Sequence, residues 1–120
     1  MLKPIPSRIL RSTAKVLVPS GTDRYQKPEY TEYTVSRVHI QPTSEIRKTS
    51  DNTEITLRSV LFVDAHTSAP ALDWAALLEA AQAFPADMKV EVRGQAYTVI
   101  AADALRDDTD VLHHWEISLA

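Results

Sequence analysis

Cysteine is absent from this chain of 120 residues, which excludes disulfide bonds, thiolate metal sites and a cysteine nucleophile. Glycine is nearly absent too, because Gly21 and Gly94 are the two in the chain, too few for the glycine-rich loop that binds phosphates. The zinc-protease motif HExxH and the hydrolase motif GxSxG do not occur. We therefore expect a protein that is not an enzyme and that uses no cofactor and no metal.

Long apolar runs are also missing. No stretch approaches the roughly 18 apolar residues that a membrane-spanning helix requires. Pro4 and Pro6 interrupt the apolar core that a secretory signal would need at the N-terminus. We therefore predict no membrane partner, and the length of the chain predicts a single domain over residues 1–120.

The net charge of −3 conceals two unlike halves. Residues 1–60 contain ten Lys and Arg against six Asp and Glu, whereas residues 61–120 contain three against ten. Opposed charges on two faces would let copies of the chain attract each other head to tail, as in a ring. A solvated surface without such a role explains the pattern equally well. The scattered basic residues argue against a dedicated nucleic-acid binder.

Alternating apolar and polar residues predict an antiparallel β protein. Residues 1–11 have the prolines of an extended arm. The alternation in the second strand slips near Ser36 and Arg37, which predicts a β-bulge, and Gly94 marks a tight hairpin turn. The predicted strands are 12–18, 31–41, 54–65, 88–93, 97–100 and 111–119, with a turn at 19–21 and a loop at 22–30.

One helix is predicted at residues 73–83, with Asp73 as its N-cap and Pro85 preventing its continuation. The element order β-β-β-α-β-β-β predicts a mainly β fold, a small antiparallel six-stranded barrel or curled sheet that the helix seals on one side. The continuous apolar run at 60–63 predicts a strand covered on both faces. The apolar stripe of the helix consists of Trp74, Leu77, Leu78 and Ala81.

Residues 43–53 contain one large apolar side chain, Ile46, among polar and charged neighbours. With so little apolar surface to bury, this segment is predicted to be a long flexible loop or a flaring hairpin tip. Its length exceeds the usual hairpin connection of about 2–5 residues, and loops of that length often carry function.

Three groups of polar residues resemble chemical sites. The adjacent histidines at 113–114 should point to opposite faces of a strand, so they cannot jointly chelate one metal. Asp64, His66 and Ser68 have the residue types of a catalytic triad, but nothing else in the chain resembles a hydrolase. The acidic run at 103–110 lacks the glycine and the glutamate of a calcium loop, and a solvated turn is the better interpretation.

Five segments carry a family resemblance: KPIPSRIL, TEYTVSRVHIQPTSEIRK, EITLRSVLFVDAHTSAP, VEVRGQAYTVIAADAL and LHHWEISL. In this order and spacing the chain resembles the minor capsid proteins of long-tailed bacteriophages and prophages, in particular small head-tail connectors of the head-closure or stopper type. The resemblance implies a ring subunit that retains packaged DNA in the head and presents a platform to the tail. A tail-completion or tail-terminator-side subunit, or a non-catalytic bacterial protein-binding module, is the alternative.

The partners that this resemblance implies are copies of the chain in a ring, portal or adaptor proteins, tail proteins and double-stranded DNA in the channel. The expected location is the head-tail interface of the virion, after assembly in the host cytoplasm. In the resembling rings a loop of each subunit projects toward the channel. We therefore expect residues 45–52 to be disordered in the isolated protein and ordered in the ring, with Arg47 and Lys48 near DNA phosphates or near the acidic turn of the next copy. The candidate gating residues are Glu45, Ile46, Arg47, Lys48, Asp51 and Asn52, and the candidate inter-subunit contacts are Asp107, Asp108, Asp110, Arg8 and Arg11.

Overall fold

The computed structural model describes residues 10–48 and 51–120. In chain order the elements are β1 (Ser12–Thr22), β2 (Pro28–Pro42), β3 (Ile46–Lys48), β4 (Glu54–Thr56), β5 (Ser59–Asp64), α1 (Trp74–Ala81), β6 (Lys89–Val92), β7 (Gln95–Arg106) and β8 (Leu112–Leu119). Six strands form a closed barrel in the order β1-β2-β5-β8-β7-β6, and β6 pairs back to β1. The predicted mainly β fold and element order are confirmed, with β3 and β4 added as a separate two-stranded sheet.

Every neighbouring pair in the barrel is antiparallel, so each segment that connects two strands lies at one of the two ends of the barrel. The ribbon end holds the end of β1, helix α1 and the β7–β8 turn. The hairpin end holds the β3–β4 hairpin, the β6–β7 turn and Ala120. This division determines which candidate residues can act together.

The core fills the inside of the barrel. Val16, Val35, Leu61, Val90 and Ile117 come from five different strands, and each is 0% exposed. They point inward because alternate side chains of a strand lie on opposite faces. Burying each such side chain contributes about 1.5–3 kcal/mol to folding, so the alternation read from the sequence also supplies the main stabilisation of the fold.

Helix α1 closes the gap in the barrel wall above the short strand β6, where it contacts β1 and β7. Asp73 is the N-cap as predicted, because its carboxylate accepts a hydrogen bond from the Ala76 amide at 3.1 Å. Trp74 and Ala81, at the two ends of the predicted apolar stripe, are buried. The helix ends at Ala81, two residues before the predicted end, and the chain then turns toward Pro85.

The first hairpin extends beyond the barrel, so the turn predicted at 19–21 is wrong and the loop predicted at 22–30 is confined to residues 23–27. The pairing of β1 with β2 continues from Val18–Thr31 to Thr22–Pro28. Pro19 has no amide hydrogen to donate to a neighbouring strand. It is tolerated there because the pairing of β1 with β6 ends at Leu17, so Pro19 lies on an open edge of the strand. We call residues 18–22 and 28–31 the ribbon, and residues 23–27 its tip.

The predicted bulge in the second strand is confirmed. Ser12 pairs with Val38 but Ala14 pairs with Val35, so β2 contains an extra residue at this point. Arg37 has a φ of 59°, and the bulge frees Ser36 to pair with Ala69 through both backbone groups. The bulge thereby attaches the segment before α1 to the barrel wall.

The β6–β7 hairpin turns at Arg93 and Gly94, with φ angles of 53° and 78°. Positive φ at both central residues is the geometry of a type I′ turn, whose twist matches that of the flanking strands. Gly94 therefore lies where the sequence predicts a tight reversal.

The strand predicted at 54–65 is two strands. Strand β4 pairs with β3, whereas β5 pairs with β2 and β8. Between them the Leu57 amide donates to the Glu45 carbonyl and the Arg58 amide donates to the Leu119 carbonyl. The chain crosses from the hairpin into the barrel here. The apolar alternation continues through the crossing, because Leu57 is itself buried.

The outer face of β5 is half exposed, so the prediction of cover on both faces is wrong. Val60 and Phe62 point outward and are partly accessible. Helix α1 covers β1 and β7 instead, and Phe62 is flanked by the rings of His39 and His114, with centroids 5.9 and 6.1 Å away.

Candidate functional site

The segment expected to gate a channel is the β3–β4 hairpin at the hairpin end. Ile46 pairs with Thr56 and Lys48 with Glu54, and the Thr43 amide donates to the Arg58 carbonyl at the base. Residues 43–53 are predicted to be either a long flexible loop or a hairpin tip, and the described part forms a hairpin. Its flexibility in the isolated protein stays a prediction.

Arg47 contacts its own chain in the structure. Its guanidinium donates to the Ser118 hydroxyl at 3.1 Å and lies 3.3 Å from the Asp103 carboxylate. The expectation placed it near DNA phosphates or near the acidic turn of a neighbouring copy. The ion pair is exposed, with 41% and 52% of the two side chains accessible, and such pairs contribute about 0–1 kcal/mol.

The other candidate gating residues present their side chains to solvent. Glu45 and Lys48 are exposed, and Ile46 is 61% exposed, which is unusual for a large apolar side chain. At the tip, Asp51 accepts a hydrogen bond from the Thr53 amide, and Asn52 has a φ of 67°. The hairpin thus combines a basic strand with an exposed apolar side chain.

The candidate inter-subunit contacts separate into different environments. Asp108 and Asp110 are exposed in the β7–β8 turn, and Asp110 lies 3.9 Å from Arg106. Arg11 is exposed at the start of β1, at the opposite end of the barrel. Arg8 lies outside the described residues.

Asp107 organises the acidic turn. Its Oδ1 accepts hydrogen bonds from the Thr109 amide, the Thr109 hydroxyl and the Val111 amide, at 2.9, 2.7 and 3.1 Å. The Thr109 hydroxyl is the main cause that lowers the pKa of Asp107 to about 2, and the two amides add to it. The turn is shorter than the one predicted over 103–110, because β7 continues to Arg106. Asp107 holds this turn together by its charge.

Asp107→Asn should reveal this role through pH. Because the folded pKa lies below the ordinary value of 3.8, the charged carboxylate stabilises the fold above that value and the contribution is lost as the pH falls to about 2. At pH 6 the wild type should have a higher urea midpoint than the variant. The difference between the two midpoints should shrink as the pH is lowered from 3.8 to about 2. A difference that is constant from pH 6 to pH 2 would contradict the role of the charge.

The two adjacent histidines lie on the same side of β8, so the prediction of opposite faces is wrong. Leu105 pairs with His114 but Arg106 pairs with Leu112, which makes His113 the extra residue of a bulge. The two Nδ1 atoms are 2.8 Å apart, so the ring that carries its proton on Nδ1 donates a hydrogen bond to the other. Burial lowers the pKa of His114, and the Glu116 carboxylate at 3.8 Å opposes that shift.

Asp64, His66 and Ser68, which have the residue types of a catalytic triad, form a turn. The Asp64 carboxylate accepts from the His66 and Thr67 amides. The Ser68 hydroxyl accepts from the Asp64 amide and donates to the Arg37 carbonyl in the β2 bulge. The Ser68 hydroxyl thus ties this turn to the bulge of β2.

Two further observations concern metals and membranes. Across residues 10–48 and 51–120, no group of three or more His, Cys, Asp or Glu side chains is arranged to hold a metal ion. Among the helices of that same part of the chain, none is long and apolar enough to cross a membrane.

Sequence reasoning missed a groove at the mouth of the barrel. It has a volume of about 560 Å³ and lies at the ribbon end, between the segment leading into α1 and the ends of β7 and β8. We call it the mouth groove. It forms where the segment leading into α1 meets the distant β7–β8 hairpin, so no local pattern indicates it. It is lined by Ala71, Leu72, Asp73, Ala75, Ala104, Arg106, Leu112 and Trp115.

Comparison with known proteins adds one finding. A family model described as minor capsid protein matches residues 6–119. The match spans the barrel, the β3–β4 hairpin and the helix. The search of curated proteins found no match.

Proposed function

This chain belongs to the minor capsid protein family of phages, and from that premise we propose that it is a head-closure subunit of the phage neck. The family gives the protein a structural role in the virion, which is consistent with a protein that is not an enzyme. In the proposal, copies form a ring between the portal or adaptor and the tail proteins, and the ring retains packaged double-stranded DNA.

The observation that supports this role most directly is the β3–β4 hairpin. It stands apart from the barrel sheet and places Arg47 and Lys48 on one strand next to the exposed Ile46. In a ring, such hairpins would line or narrow the central channel. Arg47 could exchange its exposed partner Asp103 for a phosphate, since guanidinium and phosphate form two parallel charge-assisted hydrogen bonds.

The barrel suits the same role because it is closed. Each barrel strand pairs with two neighbouring strands, so the sheet has no terminal strand whose whole length is free to pair with another chain. Projecting elements can therefore make the specific contacts while the barrel keeps its shape.

Replacing residues 45–52 by Asn-Gly should leave the fold intact and impair the particle. The Thr43–Arg58 hydrogen bond and buried Leu57 lie outside the replaced segment, and shortening a loop changes folding free energy little. Particles that carry the variant should assemble but leak packaged DNA or fail to join tails. DNA content in density gradients and infectivity measure this outcome, and cryo-EM of the neck locates the protein.

A charge reversal with a matched control sharpens the test. Lys48→Glu on the hairpin should weaken DNA retention, whereas Lys89→Glu on the outer wall of β6 should not. Shortened-hairpin particles that retain DNA and infect like the parent would end the gating proposal. Density for the protein on the tail side of the joint would instead favour a tail-completion subunit.

A further inference from the structure

The ribbon tip is a rigid aromatic projection. The Asp23 carboxylate accepts hydrogen bonds from the Tyr25 and Lys27 amides at 2.8 and 2.9 Å, and the Asp23 amide donates to the Lys27 carbonyl. Tyr25 is nevertheless 68% exposed, with the Arg24 guanidinium 4.9 Å from its ring centroid. A turn this well tied holds its most exposed aromatic residue in solvent.

The ribbon that carries this tip extends past the barrel. The ribbon consists of β1 and β2 alone, because β6 pairs with β1 no further than Leu17 and β5 pairs with β2 only from Val38 onward. A two-stranded ribbon without further support is only marginally stable in water. Residues 18–22 add about 17 Å of length at the strand rise of about 3.4 Å per residue. The molecule is accordingly 48 Å long against 31 and 28 Å across, so the tip can reach a neighbouring copy.

The mouth groove has complementary properties. Trp115 is 7% exposed at its floor, and Leu72 and Leu112 form apolar walls. The volume of about 560 Å³ accommodates a tyrosine side chain with part of its turn. Asp73 lines the groove and the exposed Asp108 lies in the adjoining β7–β8 turn.

We propose that the tip of one copy inserts Tyr25 into the mouth groove of the next copy. The inference rests on the ring of the proposed function and names its contact. Arg24 and Lys27 beside Tyr25 then face Asp73 and Asp108, and opposite charges at an interface orient the partners. An aromatic side chain in a desolvated pocket is the usual anchor of a protein interface.

The contact joins two different surfaces, and such head-to-tail contacts generate rings when the rotation between copies closes. Every subunit uses both its tip and its groove, which are two different surfaces at the ribbon end. The hairpin end, with the β3–β4 hairpin, stays available for the channel.

The absence of cysteine permits a clean cross-linking test in assembled particles. A chain carrying both Gln26→Cys, next to the retained Tyr25, and Ala104→Cys should give a ladder of disulfide-linked multimers after oxidation with copper phenanthroline. The control pair, Gln26→Cys with Gln95→Cys at the hairpin end, should give none. The absence of a ladder from the first pair, in particles whose neck contains the protein, would overturn the contact and leave the head-closure role intact.

A second measurement separates docking from folding. Tyr25→Ala should keep the urea midpoint of wild type but reduce the copies incorporated per particle by about tenfold or more, the size expected for an interface anchor. Tyr25→Phe should restore incorporation. Normal incorporation of Tyr25→Ala would overturn the inference. A ladder in particles that lack the protein at the neck would support the contact and reject head closure.

Discussion

Replacing Trp115 by alanine should lower the free energy of unfolding by about 3–5 kcal/mol, the usual cost of truncating a buried tryptophan. Trp115 is 7% exposed and belongs to the core of the barrel. On β8 it pairs with Val63 of β5 and Ala104 of β7, so its loss would leave a cavity between three barrel strands. A small domain is stable by about 5–15 kcal/mol, and the variant should unfold at a much lower urea concentration.

Tyr25→Ala is the matched control for this measurement, because it removes an aromatic ring that is 68% exposed. Its unfolding free energy should stay within about 0.5 kcal/mol of wild type. Equal urea midpoints for wild type and Trp115→Ala would show that the tryptophan does not support the core.

Trp74→Ala should be as damaging, whereas Trp74→Phe should be tolerated. Trp74 is 0% exposed, and among the described residues its indole Nε1 has no hydrogen-bond partner. Alanine would leave a cavity and cost about 3–5 kcal/mol. Phenylalanine keeps most of the ring and removes a buried unpaired N–H group, whose desolvation costs about 1–3 kcal/mol, so the lost volume is largely offset.

The comparison of the two Trp74 variants by urea unfolding is the informative result. We expect Trp74→Phe to lie within about 1.5 kcal/mol of wild type, as for other near-isosteric core changes. If phenylalanine were as destabilising as alanine, the indole nitrogen would have a partner that matters for folding.

Both tryptophans lie near the ribbon end, which links stability to the proposed assembly. Trp74 begins the helix that closes the barrel wall, and Trp115 forms the floor of the mouth groove. The two variants should therefore be studied at temperatures where they remain folded. Defects in incorporation then report on the groove and not on unfolding.

Several features of the fold follow from local sequence alone. The alternation of Val90 and Val92 with Lys89, Glu91 and Arg93 determined which side of β6 is buried, because side chains alternate across a strand. Asp73 and Gly94 determined where the helix begins and where the chain reverses, since capping and positive φ depend on single residues. The phase slip at Arg37 revealed the bulge for the same local reason.

The candidate sites depended on the tertiary structure. Pro19 stands inside a strand because β6 ends before reaching it, and His113 turns toward His114 because a bulge is set by pairing with β7. Arg47 meets Asp103 and Ser118 from 56 and 71 residues away.

The composition of the chain indicated a single domain without a membrane-spanning helix. The order of the five sequence segments indicated the minor capsid protein family. The mouth groove, the ribbon and the partner of Arg47 were decided by which distant strands pair and where each pairing stops. Those contacts depend on long-range register, which no local pattern of residues encodes.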